Sequence, residues 1–296
     1  MQREAEVISR DKAVAITVAS SKGGVGKTTV ASQLSCCLAL TSHGRNRFQT
    51  CVVDFNTGFG DVCTMLDYDM RGTTLMEWID DIRRRSSAGE KLETMEYLEE
   101  EIKDFLQKKE ETGLYALIAP NHYTDSLDIT YEELKVVMRN LQGNGGFDYV
   151  IYDTGNDLKD TTLLALEKAD YVLLIATQDI SCAHCLDAFT HTLESIRFDL
   201  NKLRLVINNV MSAKSTGISV AELQESFPYP CWAKIKHDPC IIRSGNFGKP
   251  IVFSTSHDMT KQLRSIIRKL NETEDTLQQV APAKGFWKKY FSKGGK

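Results

Sequence analysis

Ten residues, SSKGGVGKTT (Ser20–Thr29), place three glycines, two lysines and two threonines where they could hold phosphate. Gly23, Gly24 and Gly26 let the backbone wrap tightly, so that successive N–H groups, that of Val25 among them, point inward as an anion nest. A helix starting at about Lys27 would add the positive end of its dipole. Lys27 is then placed to reach the β- and γ-phosphates, Thr28 to put its hydroxyl on Mg²⁺, and Thr29 to contact the α-phosphate. The pattern G-x-x-x-x-G-K-[ST] asks for glycine at position 21 and finds Ser21, whereas Lys22 stands where no lysine is asked for. A lysine at the outer edge of such a loop does not double the work of Lys27. It can instead neutralise a phosphate presented by a second subunit, so that nucleotide joins two protomers and hydrolysis parts them.

A loop of this kind needs a strand before it and a helix after it. Ala13–Ser20 (AVAITVAS) reads as a buried strand, and VASQLSCCLAL continues the loop as a helix. Further strands are expected at Cys51–Phe55, Leu114–Pro120, Tyr149–Asp153, Tyr171–Ala176 and Leu203–Asn208, with weaker candidates at Trp232–Lys236 and Pro250–Phe253. A long charged helix is expected from about Leu92 to Lys109. Near-continuous Val/Ile/Leu strands between helices imply an α/β fold, a doubly wound, mostly parallel sheet with helices on both faces. Ligands of such sheets bind at the carboxyl ends of the strands. The phosphate loop, Asp54, Asp153 and Asn208 all fall there.

With 296 residues, 42% hydrophobic and 26% charged, the composition is that of a soluble globular protein. The charged N-terminus has no apolar core of a signal peptide and no apolar run approaches a membrane span, which predicts a cytoplasmic protein. Eight cysteines in that compartment read mostly as small core residues. Cys182 and Cys185 form a lone C-x-x-C, with a metal shared between two copies as the alternative to buried thiols.

The segment KGGVGKTT resembles the deviant Walker A motif of the MinD/ParA superfamily, whose signature is the early lysine; the similarity runs from about Ala13 to Asn271. It implies an ATP-dependent homodimer in which Lys22 reaches the partner's nucleotide, with ATP and Mg²⁺ as cofactors. VVDFNTGFGDV matches the family's first switch segment. Asp54 there fits an outer-shell partner of Mg²⁺ water, and Asn56 stands where relatives have an aspartate that orients the attacking water. Asparagine can hydrogen-bond water but cannot take its proton, so slow hydrolysis, or a scaffold with little turnover, is expected. FDYVIYDTG matches the Walker B strand with Asp153 near the metal, although Gly155 and Asn156 replace the proline that often follows. Asn208 falls where the family reads adenine through an amide, with Asn209 as the neighbouring candidate. HDPCIIRSGNFGKPIV resembles the base-pocket segment, through Asp238 and Gly248–Pro250.

Within the superfamily, DFNTGFGDV, GLYALIAP and KHDPCII…GKP look most similar to the TadZ/CpaE branch, which implies placement of pilus-assembly or other polar machinery. A MinD-like septum- or flagellum-placement role is the alternative. The ATPase domain is expected over residues 1–275. The tail over 276–296 sets Phe286, Trp287, Tyr290 and Phe291 on one side of a helical wheel and Lys288, Lys289 and Lys293 on the other. That pattern suits a peripheral contact with the inner face of the cell membrane. Five lysines between Lys284 and Lys296 leave −9 of a net −4 chain to the remainder, which argues against general nucleic-acid affinity.

Overall fold

The computed structural model describes residues 12–43 and 46–272. The tail residues expected to meet a membrane therefore lie outside the described residues. An eight-stranded sheet organises the chain, in the order β10-β9-β8-β1-β7-β4-β6-β5. Its strands are β1 (Val14–Ala19), β4 (Thr50–Phe55), β5 (Gln107–Lys109), β6 (Leu114–Leu117), β7 (Tyr149–Thr154), β8 (Tyr171–Thr177), β9 (Leu203–Val210) and β10 (Cys231–Lys236). All neighbours are parallel except β5, which runs antiparallel to β6. A small hairpin, β2 (Ser42–His43) and β3 (Asn46–Arg47), stands apart.

Helices α1 (Lys27–Ala39), α2 (Val62–Leu66), α3 (Leu75–Ser87), α4 (Glu99–Asp104), α5 (Tyr123–Ser126) and α6 (Tyr131–Gly143) precede β7. Then come α7 (Asp160–Lys168), α8 (Ile180–Ser195), α9 (Ala213–Thr216), α10 (Val220–Glu225), α11 (Pro239–Asn246) and α12 (Asp258–Glu272). T-x-x-E or S-x-x-E sequences start α3, α6 and α10 as capping boxes, in which hydroxyl and carboxylate each satisfy an otherwise orphaned backbone donor. The core forms two apolar clusters, one around α1, α8 and α12 and one around α3, α6 and α7. Strands β1, β4 and β7 are buried along almost their whole length, as a sheet covered on both faces requires.

Two expected elements differ. Pro250–Phe253 is no strand: Ile251–Phe253 is a 3₁₀ turn, because Pro250 has no N–H for a ladder and the Ile251 N–H is taken by the Gln33 side chain at 2.8 Å. Leu92–Lys109 is no single helix either. A 3₁₀ turn (Leu92–Thr94), α4 and β5 divide it. Met95 and Tyr97 are drawn into the core, and the buried Asn140 amide fixes their backbone, accepting from Tyr97 N–H and donating to the Met95 carbonyl.

Candidate nucleotide and metal site

The loop after β1 turns through left-handed backbone at Gly24 (φ 74°) and Gly26 (φ 92°), and Gly26 caps α1. Positive φ suits glycine. At Gly26 a side chain would also collide with the Asn208 amide. That amide donates to the Val25 carbonyl at 2.8 Å, tying the end of β9 to the loop, and β9 runs on through Asn208 to Val210. Asn209, the neighbouring candidate, is left-handed at φ 53°.

Lys27 donates to the Ser20 hydroxyl at 3.2 Å, and Ser20 in turn donates to the Lys22 carbonyl at 2.8 Å. Burial pulls the Lys27 ammonium below its ordinary value, while the Asp153 and Asp157 carboxylates work to hold it up. The two carboxylates predicted for the metal are brought together by sheet register: Asp54 pairs with Asp153 across β4 and β7, so both side chains leave the same face. Both are buried. Asp54 accepts from the Val62 N–H at 3.0 Å and the Asn56 N–H at 3.2 Å, which folds loop 56–62 around it. Burial and the neighbouring Asp153 push its carboxyl well above the usual range.

Neither oxygen of Asp153 has a donor in hydrogen-bonding geometry. Its carboxyl is raised by burial, to about 7, with the Thr28 hydroxyl and the Lys27 ammonium opposing. An orphaned, fully buried carboxylate beside a second one and a hydroxyl is a costly arrangement without a cation. The donor set of Thr28, Asp54 and Asp153, all hard oxygens, suits Mg²⁺. The glycine turns and the start of α1 suit phosphate. The residues present therefore fit a magnesium nucleotide.

Asn56 directs its amide N–H to the Phe59 carbonyl at 2.7 Å and so braces the switch loop. Lys22 is engaged within its own chain, bonded at 2.8 Å to Asp179, which is also the N-cap of α8 through Cys182 N–H. That hydrogen bond raises Lys22 above its ordinary value. Asp179 itself is lowered, the bonds from Lys22, Thr177 and Cys182 outweighing burial. Asp179 is absent from the sequence reading; it stands two residues past the end of β8, at the same carboxyl edge of the sheet where Asp54 and Asp153 are the next-to-last residues of β4 and β7. Asp238 is less central: it caps α11 through Cys240 N–H at 2.8 Å and meets His257 Nε2 at 3.1 Å. Between Thr29, α2 and α11 lies a cavity of about 250 Å³. Cys182 is buried with its sulfur accepting from Thr177 N–H, and among the described residues no cluster of three metal-ligating side chains occurs.

Loop, paired carboxylates and parallel sheet define a P-loop nucleotide-binding protein. A family model described as AAA domain (AAA_31) matches residues 13–205. The septum site-determining protein MinD of Neisseria meningitidis is 26% identical over 286 residues, covering 93% of this chain and 98% of that protein. Among solved structures, MinD of Pyrococcus horikoshii complexed with Mg-ADP superposes with a TM-score of 0.69 at 19% identity, covering 88% of this chain and 96% of that one. The MinC:MinD complex of Aquifex aeolicus gives 0.68 at 20% identity, covering 90% and 99%. The chain belongs to the AAA_31 domain family, within the MinD/ParA superfamily of P-loop ATPases.

Proposed function

We propose that this protein is an ATP-dependent dimerising switch that positions a cellular machine. The observation that carries it is Lys22, held at the outer edge of the phosphate loop, away from Lys27 and on Asp179. In this reading the loop N–H groups and Lys27 hold the phosphates, while Thr28, Asp54 and Asp153 hold Mg²⁺. Asn208 reads adenine while one N–H of its amide stays on the loop. The cation, when bound, neutralises charge on the phosphoryl oxygens. Asp238 shapes the base pocket from α11. Lys22 exchanges Asp179 for the phosphates of a second copy. Asn56 positions water without accepting its proton, so turnover is slow.

Size-exclusion chromatography with light scattering tests the switch. Wild type should become a dimer with ATP and Mg²⁺, and K22A should stay a monomer; equal dimerisation of both refutes the reading. Phosphate release tests the second point. N56D should raise turnover on the order of tenfold, and unchanged release separates Asn56 from the chemistry.

Two machines are in view. The segments DFNTGFGDV, GLYALIAP and KHDPCII…GKP support pilus assembly at a pole. Similarity over nearly the whole chain to proteins named for septum-site determination supports division-site placement. A fluorescent fusion separates them: co-localisation with the pilus base, or exclusion of the septum from where the protein gathers. The tail, through Phe286, Trp287, Tyr290, Phe291 and its lysines, would hold the dimer at the inner membrane face. Among the described residues no helix is long and apolar enough to cross a membrane.

A further inference from the structure

Several cations among the described residues are matched by acids. Arg83 pairs with Glu133, Arg85 with Glu90, Lys109 with Asp67 and Lys135 with Glu132. One face gathers cations that lack such partners. Between Lys261 and Lys269, α12 carries four cations and no acid. Its apolar side, Met259, Leu263, Ile266 and Leu270, is buried. At 100° per residue, Lys261, Arg264, Arg268 and Lys269 therefore span the arc turned away from the core.

Strand β10, the edge of the sheet, extends the same face. Gln262 of α12 accepts from the Lys234 backbone N–H at 3.1 Å, and Lys269 donates to the Trp232 carbonyl at 2.9 Å. Lys234 and Lys269 both lie near enough to the Cys231 thiol to favour its ionised form against the burial that raises it. Lys234 and Lys236 are exposed. The acid in contact is Asp258, which stands 3.9 Å from Lys236. Among the described residues, Lys234, Lys261, Arg264 and Arg268 make no ion pair; Arg264 instead reaches the Cys37 thiol of α1.

We propose that the face formed by α12 and edge strand β10 is a docking surface for an anionic lipid bilayer. Unpaired cations concentrated on one side of an otherwise acidic body attract an anionic partner and are a liability without one. A bilayer, rather than nucleic acid, is favoured by the chain that follows. In the sequence, the residues beyond α12 include Phe286, Trp287, Tyr290 and Phe291, ring types that settle at a membrane interface and have no such use on a phosphate backbone. Strong net negative charge elsewhere would oppose a long polyanion, whereas a membrane plane meets one side alone. The folded domain thus orients itself on the lipid, a role separate from the anchoring proposed for the tail.

Flotation of the full-length protein with phosphatidylserine-containing vesicles, at low salt with ATP and Mg²⁺, tests this. Each cation at an anionic surface strengthens binding about fivefold, so K234Q/K261Q/R268Q should lose roughly a hundredfold. These exposed positions lie outside the nucleotide site, so an unchanged melting temperature and ATP affinity certify the fold. F286A/W287A is tested in parallel. Loss in the triple variant with the tail intact supports the proposal, and loss confined to F286A/W287A leaves the tail reading standing and overturns this one. Equal binding of wild type to pure phosphatidylcholine vesicles, no binding of wild type to either, or a triple-variant defect confined to duplex DNA also overturns it.

Discussion

Replacing Gly26 with alanine should strike the phosphate loop twice, and the two blows can be measured apart. At φ 92° an alanine pays the left-handed penalty of about 1–2 kcal/mol. Its Cβ also occupies the place of the Asn208 amide nitrogen. If that amide moves, the 2.8 Å bond to the Val25 carbonyl is lost and a buried acceptor is left unpaired, about 1–3 kcal/mol more. G26A should therefore lose about 2–5 kcal/mol in urea unfolding of the nucleotide-free protein. N208A alone breaks the same bond and should lose about 1–3 kcal/mol. In G26A/N208A the collision no longer exists and the bond can be lost only once. The double variant should thus be more stable than the sum of the singles by about 1–3 kcal/mol. Additive effects, within about 0.5 kcal/mol, would show that the amide does not sit against the loop and would refute the reasoning.

Three further outcomes follow from the site. Folded Asp153 and Asp54 both hold protons more tightly than the unfolded chain does, so stability present in acid is lost as pH rises, the share of Asp153 as pH passes through about 7. In chelator the melting temperature should fall from about pH 5 to about pH 8, and D153N should flatten that decline; a slope identical in both proteins contradicts the burial argument. The Lys22–Asp179 pair is about two-fifths exposed on each side and is worth at most about 1 kcal/mol. D179N keeps an acceptor for the Cys182 N–H but loses the charge, so the ATP-dependent dimer should tighten by up to about fivefold in analytical ultracentrifugation. A weaker dimer would place Asp179 in the assembled state instead. Finally, R83M should cost on the order of 3 kcal/mol in unfolding, because it removes the cation bonded at 2.7 Å to the largely buried Glu133 carboxylate and leaves that charge, among the described residues, only the Thr130 N–H and hydroxyl. A loss below about 1 kcal/mol would mean that water replaces the guanidinium.

The central strands were legible in sequence because apolar runs bounded by glycine or aspartate leave little alternative, and the phosphate loop announced β1 and α1 together. Leu92–Lys109 misled because its charge pattern is helical while Met95 and Tyr97 are claimed by the core through Asn140, a partner more than 40 residues away. Pro250–Phe253 misled for the opposite reason, a strand-like composition overruled by one side chain, Gln33. Asp54 and Asp153 were readable as strand ends, but their meeting depends on pairing register, which spacing along the chain does not contain. Asp179 and the brace from Asn56 to Phe59 are three-dimensional facts of the same sort.

Register has a consequence for quality control. Because side chains alternate along a strand, a slip of one residue between β4 and β7 would send Asp54 to the opposite face from Asp153. Such a chain could still bury much of its apolar sheet, yet it would own half a metal site. Under the proposed cycle it could not recruit a second copy. Ligand binding then doubles as an inspection of the fold, and misassembled molecules are left out of the pool that acts.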